Sequence, residues 1–127
     1  MLRKATLAAL CFALLVNPAF AANKAFISEY AVMAATASGG VPAQIAAEPT
    51  LTDQPPVDFS GGATSSAAFG SQTKYIRIMC DTRCAIMFRP ACTGGSAATT
   101  SSKPLAADAP EYFGIQPGDC VSVVAIP

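Results

Sequence analysis

The residues of this chain best suited to chemistry are its five cysteines, at positions 11, 80, 84, 92 and 120. Cys11 falls within an apolar N-terminal stretch, so an even set of four belongs to the rest of the chain. Four cysteines in a small exported domain predict two disulfides, for which three pairings are possible. We favour a Cys80–Cys84 bond across a tight turn and a Cys92–Cys120 bond that ties a loop to the last strand.

Free thiols and a zinc site are the alternatives for these four cysteines. The intervening segments of 3, 7 and 27 residues contain no C-x-x-C pair, and the chain has no histidine, so neither a metal nor another cofactor is expected. A redox-active Cys80–Cys84 pair would need two intervening residues at a helix N-terminus. Three residues intervene here, between predicted strands, which favours a structural disulfide.

Acid–base catalysis has little support in the sequence. The absence of histidine removes the commonest general base, together with Ser-His and Cys-His dyads. The eight carboxylates are scattered singly along the chain, so we expect them to be solvated acids in loops and at strand ends. They are Glu29, Glu48, Asp53, Asp58, Asp81, Asp108, Glu111 and Asp119. We therefore expect no catalytic residues and no enzyme. A small exported enzyme would need a carboxylate pair, which variants of Glu111 and Asp119 would test.

The N-terminus has the pattern of an export signal. Arg3 and Lys4 precede an uncharged stretch at 5–16, and Pro18 is followed by small residues up to Ala21. This stretch is short for a membrane span, which needs about 20 residues, so we predict a signal segment at 1–21 that is cleaved after Ala21. An uncleaved anchor, touching a membrane through this segment alone, is the alternative.

Residues 22–127 then form a single small domain. Without Arg3 and Lys4, six basic residues face eight acidic ones, a net charge of −2 with no basic cluster. A nucleic-acid partner is therefore not expected. Four aromatic residues could form a stacking surface, although aromatic residues in strands are more often core: Tyr75, Phe88, Tyr112 and Phe113.

The elements that must position these residues are strands. Residues 74–80 alternate, with Ile76 and Ile78 on one face, and residues 84–89 follow after three turn-type residues, which predicts a β-hairpin. Further strands are predicted at 25–33, 57–59, 111–115 and 120–126, with a possible one at 44–47, a polar loop at 93–102 and a turn at Pro117-Gly118. No helical periodicity lies beyond the signal segment. We predict an all-β domain of six to eight short strands, a small antiparallel sandwich or jelly roll.

Four blocks of the chain resemble, in the same order, small β-sandwich proteins encoded among tailed-phage virion genes. They are Ala-Phe-Ile-Ser-Glu-Tyr (25–30), Thr-Lys-Tyr-Ile-Arg-Ile (73–78), Cys-Ala-Ile-Met-Phe (84–88) and Glu-Tyr-Phe-Gly-Ile-Gln-Pro-Gly (111–118). The resemblance lies in the residue pattern of the strands, covers about residues 25–127 and contains no catalytic signature. Such proteins normally lack an export signal and seldom carry four cysteines.

The resemblance implies a virion structural protein that decorates or stabilises a capsid by contacts with capsid subunits or with copies of itself. Its partners would be proteins, in a homo-oligomer. The alternative is a periplasmic or secreted β-domain, stapled by disulfides, that binds a surface partner or a glycan.

Overall fold

The computed structural model describes residues 23–35 and 42–127. The predicted signal segment at 1–21 lies outside the described residues. Within them the fold is all-β and contains no α-helix. A single three-residue 3-10 turn, Pro90–Cys92, interrupts the strands, and no helix there is long and apolar enough to cross a membrane.

Eleven strands are present in the described part of the chain. They are β1 (Lys24–Tyr30), β2 (Met33–Ala35), β3 (Pro42–Ala46), β4 (Thr52–Asp53), β5 (Val57–Asp58), β6 (Thr64–Ser65), β7 (Tyr75–Cys80), β8 (Cys84–Arg89), β9 (Lys103–Leu105), β10 (Glu111–Gly114) and β11 (Cys120–Ala125).

These strands form two main antiparallel sheets. In the first sheet the order is β10-β7-β1-β4, and β5 also pairs with β1. In the second sheet the order is β6-β11-β8-β9. A small third sheet, β2-β3, is a separate hairpin. The predicted all-β class with antiparallel strands is confirmed.

The core lies between the two main sheets, which pack face to face as in a β-sandwich. The first sheet contributes Ile27, Ile76 and Ile78, and the second contributes Ile86, Val121 and Val123, to one buried cluster. Successive side chains of a strand point to opposite faces. The alternation seen in β7 therefore buries Ile76 and Ile78 completely and leaves Arg77 exposed.

The predicted β-hairpin of β7 with β8 is wrong, although both strands exist. β7 pairs with β1 and β10, whereas β8 pairs with β11 and β9. The three residues between them carry the chain from one sheet to the other. Each of the two strands pairs instead with two strands from other parts of the chain. A local hairpin would place β7 and β8 in the same sheet and leave the core without its second layer.

Other differences concern short strands without a local pattern. The predicted strand at 25–33 ends at Tyr30 and continues as the separate strand β2. β6 and β9 lie in segments where no strand is predicted. Each has at most three residues and depends on pairing with a longer neighbour. The predicted turn is present: Asp119 N–H donates to the Gln116 carbonyl, and Gly118 has φ +87°, as a type II turn requires.

Candidate interaction face and cysteine sites

Cys80 and Cys84 form a disulfide at the corner between the two sheets. Cys80 ends β7 in the first sheet, Cys84 begins β8 in the second, and their Cα atoms are 6.4 Å apart. Both residues are fully buried within the core cluster. The corner is further fixed by hydrogen bonds between Lys24 and Asp81, in which each backbone N–H donates to an oxygen of the other residue. This disulfide therefore clamps the sandwich at one end of β8.

Cys92 and Cys120 lie at the other end of β8. Cys120 opposes Arg89 in the β8–β11 ladder and is fully buried, whereas Cys92 is half-buried at the end of the 3-10 turn. The two thiols are not bonded in this structure, and Cys92 lies close enough to affect the pKa of Cys120. Burial, then the contact with Cys92, raise the pKa of the Cys120 thiol to about 12. The predicted second disulfide stays a prediction.

The loop that follows Cys92 covers the outer face of the second sheet. Ser122 and Cys120 point to this face, as does their β8 neighbour Met87. The backbone N–H of Ala98 donates to Ser122 Oγ at 3.0 Å, and both Ala98 and Ser122 are buried. The loop at 93–102 is therefore anchored on the sheet at Ala98, which its low-complexity sequence did not indicate.

The β2–β3 hairpin covers one end of the outer face of the first sheet. Tyr30 and Tyr75 are paired across β1 and β7, their rings stack at 5.4 Å, and both are buried. The Tyr75 hydroxyl donates to the Val32 carbonyl and accepts from Ala47 N–H, whereas the Tyr30 hydroxyl donates to Glu48 at 3.1 Å. Burial raises the pKa of Tyr30 above its ordinary value, and the hydrogen bond to Glu48 adds a smaller contribution in the same direction.

The remainder of that outer face is an uncovered patch, here called the outer-face patch: Phe26, Arg77, Met79 and Tyr112. Phe26 opposes Met79 across β1 and β7, and Arg77 opposes Tyr112 across β7 and β10, so all four share one face. Phe26, Arg77 and Tyr112 are exposed, and Met79 is half-buried. Arg, Met and aromatic residues together are the composition that protein–protein interfaces favour.

Three of the four aromatic residues considered for a stacking surface are buried or packed against the core, as expected of aromatic residues in strands. Tyr75 is buried under the hairpin, and Phe88 packs edge-on against Phe113 at 5.4 Å, beside the core. The Lys103 amine lies 4.2 Å from the centre of the Phe113 ring. Tyr112 is the exposed member of this set and the exception to the core interpretation.

Glu29 is a buried carboxylate, so the expectation that every acid is solvated is wrong for this residue. Its side chain is 3% exposed and accepts hydrogen bonds from Gln54 Nε2 (2.7 Å), Gly70 N–H (2.9 Å) and Thr73 Oγ (2.5 Å). These donors hold the segment between β4 and β7 onto β1. Alternation with its inward neighbour Ile27 was the one available signal in the sequence.

Glu29 also lines an open cavity of about 260 Å³, together with Leu51, Thr52 and the segment 70–73. This volume is below that of ordinary ligand pockets. Three donors already satisfy the carboxylate, so its geometry is that of a structural residue. Among residues 23–35 and 42–127, no group of three or more His, Cys, Asp or Glu could hold a metal ion.

Comparison of the chain with protein-family models, with curated proteins and with solved structures gives no match. The geometry of the described residues is therefore what supports a function.

Proposed function

We propose that this protein is a non-enzymatic structural component of a virus particle, which decorates or stabilises the capsid by contacts with capsid subunits or copies of itself. The observation that carries the proposal is the outer-face patch, four side chains of interface-like composition on one face of the first sheet. Large apolar side chains are also exposed at and beside the hairpin, where Val32 is 62% and Ile45 57% exposed. Exposed apolar surface marks interaction sites where it is contiguous.

The sheet edges add a second kind of contact surface beside the patch. Edge strand β9 carries Lys103 and Pro104, two residue types that discourage further strand pairing. Edge strand β10 (Glu111–Gly114) has no proline, and it contributes Tyr112 to the patch. An extended segment of a neighbouring subunit can add to β10 while its side chains contact Arg77 and Tyr112.

The test is incorporation of the chain into particles. We expect an epitope-tagged chain to copurify with particles on a density gradient, and the variant Phe26→Asp/Tyr112→Asp to remain in the soluble fraction. The matched control is Met87→Asp on the second sheet, because Met87 (39% exposed) and Tyr112 (38%) are equally accessible. Absence of the unmodified chain from particles would refute the virion role, and equal loss of the control would refute the assigned face.

The alternative function is an exported β-domain that binds a surface partner or a glycan. The Cys80–Cys84 disulfide favours it, because disulfides persist in oxidising compartments outside the cytoplasm. Fractionation of the producing cells, with sequencing of the N-terminus, separates the two functions. A periplasmic chain that begins at Ala22 would support the alternative, whereas an intact Met1 would exclude it.

A further inference from the structure

We propose that Cys92 and Cys120 are a thiol–disulfide site, which an oxidant of the disulfide class closes into a latch that holds the 93–102 loop on the second sheet. The proposal stands on the placement of the two residues and is independent of the virion role. Its ligand class is a small or protein disulfide, such as oxidised glutathione or a disulfide oxidoreductase.

The backbone around Cys92 directs its side chain toward β11. Ala91 and Cys92 both have positive φ, 50° and 56°, a conformation that non-glycine residues seldom adopt. The turn is nevertheless held by hydrogen bonds: Ala91 N–H donates to Asp119 Oδ1 (3.1 Å), and Gly94 N–H donates to the Pro90 carbonyl (2.8 Å). The Cys92 thiol itself donates to the Gly118 carbonyl at 3.6 Å.

These contacts place Cys92 against the residues that immediately precede Cys120. The partner thiol is rigidly held, because Cys120 begins β11 and is paired in the ladder with Arg89. The two sulfurs are thus neighbours in the folded chain although 28 positions separate them in the sequence. Folding alone brings them together, which is what an intramolecular disulfide requires.

The difference in burial sets the order of the reaction. Cys92 is half-buried, so its thiolate attacks the oxidant RSSR, forms Cys92–S–S–R and releases RS⁻. The Cys120 sulfur then displaces the second RS group, which leaves with the Cys120 proton as RSH, and Cys92–S–S–Cys120 forms. The protein loses two electrons and two protons, and the oxidant is reduced to two RSH.

The experiment counts thiols in the full chain carrying Cys11→Ser, which removes the remaining cysteine. After treatment with oxidised glutathione, denaturation and maleimide labelling, intact mass should show no label, against four labels on the fully reduced chain. The matched variants Cys92→Ser and Cys120→Ser should each retain one thiol, free or as a glutathione adduct. Two labelled thiols, or glutathione retained on Cys92 of the parent chain, would overturn the proposal.

A second variant identifies the bond directly. Cys11→Ser/Cys80→Ser/Cys84→Ser contains Cys92 and Cys120 alone, so loss of both thiols in the monomer defines their pairing. If this variant does not fold, hydrogen exchange of the parent chain replaces it. Closing the latch should slow exchange of the Ala98 amide at least about tenfold, because the loop then opens less often. An unchanged Ala98 rate in the oxidised parent would contradict a latch.

Discussion

The two outer faces of the sandwich are covered by different means. On the first sheet, the β2–β3 hairpin is held by the hydroxyls of two stacked tyrosines, and the rest of the face stays open as the outer-face patch. On the second sheet, the 93–102 loop is held by Ser122 and begins beside two neighbouring thiols. One face thus combines a cover held by tyrosine hydroxyls with an uncovered contact surface, whereas the other has a cover that oxidation can fasten.

The largest expected effect is on the second face, where the latch closes a loop between residues 92 and 120. Forming this bond should raise the free energy of unfolding by about 3.5 kcal/mol, because it restricts the unfolded chain. Urea unfolding of the oxidised parent and of oxidised Cys92→Ser, both carrying Cys11→Ser, measures the difference. Equal unfolding midpoints of the two chains would show that oxidation does not fasten the loop on the second face.

The next effect is on the first face. Tyr75→Phe removes the hydroxyl that donates to Val32 and accepts from Ala47. Because the Val32 carbonyl and the Ala47 N–H both lose a hydrogen-bond partner, we expect a loss of about 2 kcal/mol in the free energy of unfolding, with faster exchange of the Ala47 amide. Tyr30→Phe is the matched control: the Tyr30 hydroxyl donates to the exposed Glu48 side chain, so a loss of about 1 kcal/mol is expected. A larger loss in the control would mean that Tyr30 holds the hairpin.

Ser122→Ala tests the second cover without its thiols. It removes the acceptor of the Ala98 N–H, and we expect a loss of about 1 kcal/mol together with faster exchange at Ala98 in the reduced protein. Thr100→Ala, an exposed change in the same loop, should alter neither quantity. If Ser122→Ala behaves like Thr100→Ala, the loop is held by other contacts.

Alkaline pH should lower the stability contributed by groups on both outer faces, first at Cys120 and then at Tyr30. The folded pKa values of Cys120 and Tyr30 are raised above their ordinary values near 9.0 and 10.0. The folded state therefore retains protons that the unfolded state releases, and this contribution to stability is complete below the unfolded pKa and lost as pH rises through the folded one. We expect the unfolding free energy of the reduced protein to fall above about pH 9.

Variants separate the two contributions to this pH profile. Cys120→Ser should remove the fall that begins near pH 9, and Tyr30→Phe the part that begins near pH 10. Chemical unfolding measured from pH 7 to 10.5 gives the profiles. Identical slopes in the parent chain and Cys120→Ser would contradict a buried, protonated thiol.

The smallest effect on stability is expected in the outer-face patch. Tyr112→Ser should change the unfolding free energy by no more than about 0.5 kcal/mol, because the side chain is exposed and joins no core contact. Differential scanning calorimetry checks this. A loss of more than about 1 kcal/mol in the free energy of unfolding would mean that Tyr112 stabilises the fold, and would argue against a role of the patch in binding alone.

The sequence predicted much of the secondary structure for a local reason. Alternation with period two identifies a strand and the face it buries, so β7, β8, β10 and β11 were all found close to their bounds. The Cys80–Cys84 bond was also predictable, because four positions at a turn keep two residues close whatever the fold. Tyr112 was named as a surface candidate, but nothing local distinguished it from Tyr75.

The sequence by itself determined the longer strands β7, β8, β10 and β11 and the turn at Gly118, and it favoured the disulfide at the corner, since each depends on neighbours within a few residues. Only the tertiary structure decided which strands pair, and so replaced the expected hairpin by a crossing between two sheets. It also buried Glu29 beneath a segment some 40 residues away and placed Cys92 beside Cys120. Such contacts form when segments that are distant in the sequence compete for the same sheet face. A local sequence pattern depends only on neighbouring residues, so it cannot predict which segment is placed there.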